Sequence, residues 1–276
     1  MNIIAIVLTF NEELHIARCL ENCSQFADKL VVVDSVSTDD TKKIALEFRA
    51  VFMSRTFDNQ ARQFNWALQK IDANQNDLIV RIDADEILDY DAIQSILALK
   101  EGVSAGTSGW SFNRKIKFQG EIVKFGGLDK KYITRAFLYG HGKSNLRLMD
   151  EHIEVDGKVE KLPGLLIDDN KNDLRWWLEK HVSYAEREAL ASLESNQIAG
   201  GSIQHRIYNY LPRNFRPLLY FLYRFFLRGG VFSGTRGRQF HYLQGYVYRK
   251  LVEEFISNFK YQPPAHLKKI GKKYGK

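Results

Sequence analysis

Apolar runs alternate with helical patterns through the first hundred residues of the chain. Residues 3–8, 30–33, 50–53 and 78–82 are almost continuously apolar, which is typical of strands buried on both faces. The segments between them carry apolar residues at helical spacing, and Asn11, Asp89 and either Thr38 or Asp39 are candidate N-caps. This βαβα order predicts an α/β domain with a parallel sheet and helices on both of its faces.

The pattern changes after the first hundred residues. Between 109 and 167 the apolar period falls to two, which predicts mixed or antiparallel strands that complete the sheet. Residues 173–194 have a helical pattern, and the chain beyond 201 is basic, aromatic and helical in character. We therefore expect a mixed, mainly parallel domain over residues 1–200 and a helical extension over 201–276.

Charge is distributed unevenly along the 276 residues. Residues 1–100 hold 16 acidic and 10 basic side chains, whereas residues 201–276 hold 2 acidic and 15 basic ones. Such asymmetry indicates contact between the C-terminal region and a polyanion or an anionic membrane.

Cys19 and Cys23 lie four residues apart on a predicted helix, so we expect two reduced core residues.

The N-terminus is apolar without a basic start, which predicts a buried strand instead of a signal peptide. No apolar run reaches the roughly 20 residues that span a bilayer. We therefore expect a cytoplasmic protein, peripheral on the inner face of the membrane if it binds lipid.

The first predicted strand is not followed by a glycine-rich dinucleotide motif, and the chain has no Gly-Lys-Ser/Thr phosphate loop.

Polar groups follow four of the predicted strands. They are Thr9 to Glu13, Asp34 to Thr41, Asp83-Ala84-Asp85, and Asp150-Glu151-His152 after a predicted strand over 144–149. Each segment alone is explained by turn and capping chemistry. Ligands of open α/β sheets, however, bind outside the carboxyl ends of the strands. Asp83 and Asp85 offer hard oxygen ligands, so we expect a divalent cation, Mg²⁺ or Mn²⁺, at this edge.

Five segments carry a resemblance to a known family. They are Leu8-Thr9-Phe10-Asn11-Glu12-Glu13, Val31-Val32-Val33-Asp34-Ser35 with Ser37-Thr38-Asp39, Gln63-Phe64-Asn65-Trp66-Ala67-Leu68, Asp83-Ala84-Asp85-Glu86, and Asp150-Glu151-His152 with Gly157. The sequence resembles family 2 glycosyltransferases of the GT-A fold, in the bacterial subgroup that builds lipopolysaccharide core and exopolysaccharide. The resemblance covers residues 1–200 and is weak for the identity of the sugar.

The resemblance implies roles on the donor side of a site. Thr9, Glu12 and Asp34 would line the nucleotide pocket, and Asp83 with Asp85 would hold the metal and the diphosphate. Many relatives have Gln-Arg-Asn where this chain has Gln63-Phe64-Asn65, so the basic donor contact is assigned to Arg62. The donor would be a nucleotide-sugar, with a UDP-sugar as the first expectation.

The resemblance also implies an inverting transfer with an acidic catalytic base. Glu151 aligns best with that base, but relatives often have His-Glu where this chain has Asp150-Glu151, so the choice between the two stays open. His152, His181 and Trp176 are candidate acceptor contacts, against the alternative that they orient neighbours or pack in a helix core.

The region after residue 204 interleaves aromatic side chains with arginines, and its apolar stretch 218–227 suits the membrane interface. Arg216, Arg224 and Arg228 fall at helical spacing on one side, as an anionic lipid contact would require. The alternative is that the aromatics pack on the catalytic domain. We expect a lipid-linked or cell-envelope glycan as the acceptor and no nucleic acid partner. The rival function is a non-catalytic membrane- or polyanion-binding module on a transferase-like fold.

Overall fold

The computed structural model describes residues 1–145, 152–195, 212, 213 and 215–262. The chain forms two compact units. The first unit comprises Met1–Val123 and Leu128–Lys171, and the second comprises Lys124–Gly127 and Asn172–Lys276. Within the described part of the chain, no helix is both long enough and apolar enough to cross a bilayer.

A mixed, mainly parallel sheet forms the first unit. Its strands are β1 (Ile3–Thr9), β2 (Lys29–Asp34), β3 (Val51–Ser54), β4 (Leu78–Asp83), β5 (Glu86–Leu88), β6 (Thr107–Phe118), β7 (Glu121–Ile122), β8 (Tyr132–Leu138) and β11 (Lys158–Asp168). The strand order is β3-β2-β1-β4-β8-β6-β11-β5, with β7 paired to β6. The first four strands are parallel, and β8 runs antiparallel to both β4 and β6. This architecture confirms the predicted fold class.

Four helices cover the two faces of this sheet. They are α1 (Ile16–Cys23), α2 (Thr41–Glu47), α3 (Gln60–Lys70) and α4 (Tyr90–Ala98). Alternate residues of β1 point to opposite faces, so Ile3 joins the core beneath α1 and α4, whereas Ile4 joins the core beneath α3. Because both faces are covered, every residue of β1 is buried. Cys19 and Cys23 are buried and free, as predicted.

Two predicted N-caps are wrong. Asn11 does not cap α1, which begins at Ile16; its backbone has a φ of 54° and its side chain accepts a 2.9 Å hydrogen bond from the Thr38 N–H. Neither Thr38 nor Asp39 occupies the N-cap of α2, because that position is Asp40. Asp89 caps α4 as predicted, accepting a 2.9 Å hydrogen bond from the Ala92 N–H.

The strand predicted over 144–149 falls largely outside the described residues. β9 (Gly142–Ser144) ends at Ser144 and pairs with β10 (Ile153–Val155) in a separate two-stranded sheet. Residues 146–151 lie outside the described residues.

The described part of the second unit is helical. It contains α5 (Leu174–Ser195), α6 (Arg216–Leu222) with a π-helical turn over Tyr223–Leu227, a 3-10 turn over Gly230–Phe232, α7 (Thr235–Tyr242) with a π-helical turn over Leu243–Val247, and α8 (Tyr248–Tyr261). Its small core joins Ala185 and Ala189 of α5 to Tyr248, Val252 and Phe259 of α8. Helix α5 covers the helix predicted over 173–194 except its first residue, and most of the described residues beyond 201 are helical, as predicted.

Candidate active site

Parallel pairing brings three polar strand ends to one edge of the sheet. The register pairs Thr9 with Asp34 and Leu8 with Asp83, so the carboxyl ends of β1, β2 and β4 are level. The connections that follow these strands begin at the same edge. A substrate-binding site is expected at such an edge because the strand ends leave a crevice between the loops.

Thr9 and Asp34 form a buried hydrogen-bonded pair. The Thr9 hydroxyl donates to the Asp34 carboxylate over 2.9 Å, and both residues are at most 3% exposed. The Ser37 N–H donates to the other Asp34 oxygen over 2.7 Å. The Ser37 hydroxyl also donates to the first Asp34 oxygen, over 2.5 Å, so that oxygen already accepts two hydrogen bonds. The carboxylate is thus fixed in position, and only its second oxygen keeps a lone pair for a ligand.

A network of ion pairs surrounds Asp83. Arg135, from the neighbouring strand β8, lies 2.9 Å from one Asp83 oxygen and 2.6 Å from Glu86, and Arg81 lies 3.5 Å from the other Asp83 oxygen. Burial alone would raise the pKa of Asp83, but the charges of Arg135 and Arg81 outweigh it and lower the pKa to about 2. Asp83 is therefore an anion whose charge is already compensated by the protein.

Glu86 shares the same arginine but has the opposite electrostatic balance. It is 1% exposed, and this burial is the main cause that raises its pKa to about 7, with Asp83 adding to the effect and Arg135 opposing it. Its second oxygen accepts a 3.1 Å hydrogen bond from the Asp83 N–H. Glu86 thus holds the turn that carries Asp83 and Asp85.

Asp85 carries the oxygen donors that best fit a divalent cation. It is half-buried, and one of its oxygens accepts a 2.9 Å hydrogen bond from the Asn170 side chain. Among the described residues no cluster of three or more His, Cys, Asp or Glu side chains forms a metal cage. One or two carboxylates are the protein share that Mg²⁺ takes when phosphate oxygens and water supply the remaining ligands. The residues present therefore fit a cation shared with a diphosphate.

The segment 168–171, at the end of β11, contributes residues that sequence reasoning missed. Asp168 pairs with Arg114, and one Asp169 oxygen lies 2.6 Å from Arg18, 3.3 Å from Lys117 and 2.9 Å from Lys171. The Asp169 N–H also donates to the Asp85 carbonyl over 2.9 Å. Polar residues directly after an apolar strand were the signal used for the other strand ends, and the same signal is present here.

His15, which the sequence did not single out either, connects Glu12 to this segment. The Glu12 carboxylate is 2.6 Å from His15 Nδ1, and His15 Nε2 accepts a 2.9 Å hydrogen bond from the Lys171 N–H. Because Nε2 must accept, the proton of the neutral ring lies on Nδ1 and is donated to Glu12. The contact links the loop after β1 to the end of β11.

The structure does not bring Arg62 to Asp83. Arg62 is 59% exposed and lies 3.5 Å from Asp58, whereas Gln60 of the same helix contacts Asp83 over 3.4 Å. Asp150 and Glu151 lie outside the described residues. His152 is exposed, and its N–H donates to the Asn145 side chain over 3.1 Å.

Trp176 and His181 belong to the second unit. The His181 ring stacks on Trp177 with 3.5 Å between centroids, and burial lowers the pKa of His181. Lys180 lies over the Trp176 ring at 4.3 Å. Each side chain therefore has an internal packing partner on α5.

Comparison with known proteins gives a family match. The model for glycosyl transferase family 2 matches residues 4–141, half of the 276-residue chain. Uncharacterised glycosyltransferases of Rickettsia felis and Rickettsia conorii are 36% and 34% identical over 97 residues, covering 34% of this chain and 33% of each relative. The chain thus spans about a third of the length of the curated relatives it matches.

Solved structures of two transferases show some likeness. The mannosyltransferase PcManGT of Pyrobaculum calidifontis, in complex with GDP-Man and Mn²⁺, is 15% identical, with 98% of this chain and 79% of that chain covered and a TM-score of 0.44. Glucosyl-3-phosphoglycerate synthase of Mycobacterium tuberculosis, in complex with Mn²⁺, UDP and glucosyl-3-phosphoglycerate, is 21% identical, with 42% and 44% covered and a TM-score of 0.34.

Proposed function

Because the chain belongs to glycosyl transferase family 2, we propose that it transfers a sugar from a nucleotide-sugar donor to a hydroxyl group of an acceptor. The observation that carries this proposal is that Thr9, Asp34, Asp83 and Asp85 lie at the ends of adjacent strands, within the matched segment. A nucleotide-sugar needs both a polar site for its nucleoside and an anionic, metal-binding site for its diphosphate.

The Thr9–Asp34 pair supports the nucleoside part of this site. Asp34 is fixed by the hydrogen bonds from Thr9 and Ser37, and the lone pair left on its second oxygen can accept from an N–H group of a base or from a ribose hydroxyl. Glu12 and Arg62 are assigned to the same donor pocket on the resemblance of their segments to the family. The pair contributes orientation, because its rigid acceptors favour one pose of the nucleoside.

Asp85, with Asp83, is assigned to the diphosphate part. A bound Mg²⁺ or Mn²⁺ would supply positive charge against the diphosphate that leaves. Asp83 stays ionised at neutral pH because Arg135 and Arg81 lower its pKa to about 2. Asn170 donates to one Asp85 oxygen and so orients the carboxylate that would hold the cation.

The transfer also needs a group that accepts the proton of the attacking hydroxyl. We assign this role to Glu151, with Asp150 as the alternative. A carboxylate has an ordinary pKa of about 4, far below that of an alkyl hydroxyl, so the proton must move as the oxygen attacks the anomeric carbon. Attack from the face opposite the departing diphosphate inverts the configuration.

The acceptor in this proposal is a lipid-linked or cell-envelope glycan at the inner face of the membrane, as in lipopolysaccharide-core or exopolysaccharide synthesis. Residues 195–252 support it, because these 58 residues contain nine Lys or Arg and no Asp or Glu. A cationic region favours an anionic surface as its partner. His152, Trp176 and His181 are the candidate acceptor contacts.

The test is donor hydrolysis by the full chain. UDP-, GDP- and dTDP-sugars are incubated with Mn²⁺, and release of the nucleoside diphosphate is measured with and without EDTA. Thermal shifts identify the donor, because a ligand that binds only the native state raises the melting temperature. We expect turnover with at least one donor, and its loss both in EDTA and in the Asp85→Asn variant.

Asp91→Asn is the matched control, because Asp91 is an exposed acid on α4, a few residues away from Asp85. It should keep turnover. The rival function, a non-catalytic membrane- or polyanion-binding module, predicts no release of nucleoside diphosphate from any donor. Turnover that survives in both EDTA and Asp85→Asn would instead refute the metal-dependent mechanism.

A further inference from the structure

The second unit exposes a continuous series of large apolar side chains. This apolar ridge consists of Phe215, Leu218, Leu219, Leu222, Tyr223, Phe226, Leu227 and Phe232, which are 37–79% exposed. Phe215, Leu219, Leu222 and Phe226 recur at intervals of three or four residues, so they follow one side of the helix formed by α6 and its π-helical turn. Single exposed apolar residues are ordinary, but a contiguous set indicates an interaction surface.

The same helix buries its other side within the unit. Pro217 and Arg224 are buried, and Phe221 stacks on Phe225 with 5.0 Å between ring centroids. The Arg224 guanidinium donates to the Gly126 carbonyl over 3.1 Å. The helix therefore already has its packing partners, and the ridge is apolar surface in addition to them.

The arginines around the ridge differ from those predicted. Arg224 is buried, and Arg216 lies 3.5 Å from Glu253, so neither presents its charge as Arg228 does. Arg228 and Arg238 are exposed, and no carboxylate among the described residues forms an ion pair with either of them. The exposed cations that follow the ridge in sequence without an ion pair therefore include Arg228, in the turn directly after Leu227, and Arg238 on α7.

These observations favour lipid as the occupant. An apolar helix side bordered by arginines matches the headgroup region of an anionic bilayer, where apolar side chains enter the acyl boundary and cations meet lipid phosphates. A second copy of this chain would bring the same positive charge to the contact. Residues 195–252 hold no acidic side chain that could neutralise it.

We propose that the apolar ridge inserts into the interface of an anionic membrane, with Arg228 and Arg238 contacting the headgroups. The inference rests on the proposed function in one respect, because a membrane-bound acceptor gives the docking its purpose. Docking through the ridge, however, can be tested without any acceptor.

The experiment measures sedimentation of the full chain with sucrose-loaded vesicles, made either of phosphatidylcholine alone or with about 30% phosphatidylglycerol. We expect binding to the anionic vesicles only, and weaker binding at high salt. The double variant Phe226→Glu/Leu227→Glu should bind at least about tenfold more weakly, because it loses two inserting side chains and gains two negative charges. Arg228→Gln and Arg238→Gln should each cost about fivefold.

Tyr261→Glu is the control, because Tyr261 is 86% exposed at the end of α8 and is not part of the ridge. It should bind like the unmodified chain. Thermal melting of each variant, together with donor hydrolysis without vesicles, separates loss of docking from loss of folding.

Three results would overturn the inference. They are no binding of the unmodified chain to anionic vesicles, equal binding by Phe226→Glu/Leu227→Glu, and a dimer in solution that this variant dissociates while vesicles bind neither form. Vesicle binding without donor turnover would support the ridge and refute the proposed enzyme. Turnover without vesicle binding would do the reverse.

Discussion

Replacing Arg135 by methionine tests whether the ion-pair network at the strand ends holds this part of the fold together. Arg135 is 8% exposed and contacts two carboxylates, Asp83 over 2.9 Å and Glu86 over 2.6 Å. Methionine keeps the apolar part of the side chain but removes the charge and its hydrogen bonds. The 1%-exposed Glu86 then loses its closest cation.

The expected loss follows from the cost of leaving a buried charge without its partner, which is about 3–5 kcal/mol. Two contacts remain and reduce it: Arg114 lies 3.8 Å from Glu86, and Arg81 lies 3.5 Å from Asp83. We therefore expect the lower end, about 3 kcal/mol in the free energy of unfolding. For a unit of this size the melting temperature should fall by about 6–12 °C.

The assay is urea and thermal unfolding at about pH 8 in EDTA, where Glu86 of the unmodified protein is ionised and no divalent cation can replace the arginine. The matched control is Lys158→Met in the same unit. Lys158 lies 2.7 Å from Glu160 but is 65% exposed, so its loss should cost less than about 1 kcal/mol.

The double variant Arg135→Met/Glu86→Gln makes the test specific for the ion pair. Removing both partners leaves no unpaired buried charge, so the double variant should recover at least about 1 kcal/mol relative to the sum of the single variants. Strict additivity of the two single changes, or an Arg135→Met variant as stable as the Lys158→Met control, would refute the reasoning.

Three further predictions concern other parts of the chain. Asn170→Ala removes the 2.9 Å hydrogen bond to Asp85 and should weaken Mn²⁺ binding in the presence of a nucleoside diphosphate by about 10–100-fold, measured by calorimetry; unchanged affinity would contradict the positioning role. Glu151→Gln should lower kcat by about 10²–10⁴-fold with donor affinity nearly unchanged, and if Asp150→Asn does so instead, the base is Asp150. Burial of Asp77 would raise its pKa, but hydrogen bonds from the Asn74 and Asn2 N–H groups outweigh burial and lower the pKa, so the carboxylate stabilises the fold above about pH 4 and loses this contribution in more acidic solution. Asp77→Asn should therefore lower the free energy of unfolding by about 1–3 kcal/mol near pH 7 and by less near pH 3. If urea titrations give the variant and the unmodified chain parallel profiles of stability against pH, this effect is excluded.

The elements that the sequence predicted well are those whose signal lies within a few neighbouring residues. The run 3–8 is buried throughout as part of β1, because a parallel strand covered on both faces needs apolar residues on both. Asp89 caps α4 through its own N-terminal turn. Asn11 carries the same kind of local signal, but its side chain accepts instead from Thr38, a residue on another loop.

The candidate site divides in the same way. The sequence was enough to predict that one sheet edge holds Thr9, Asp34 and Asp83, because the carboxyl ends of parallel strands meet at the same edge. The partners of Asp83 and Asp85 could not, since Arg135 and Asn170 lie about 50 and 85 residues further along the chain. A period of two indicates that β8 and β11 are strands, but it does not say which strands they join.

By itself, therefore, the sequence determined the strand and helix types, the acidic strand ends and the basic, aromatic character of the C-terminal region. The tertiary structure alone decided which charges face one another: Arg135 compensates Asp83 because β8 lies between β4 and β6, and Arg224 is buried whereas Arg228 is exposed. The physical reason is that periodicity reflects the local geometry of the backbone, whereas burial and pairing of a charge depend on neighbours brought together only by strand order and packing.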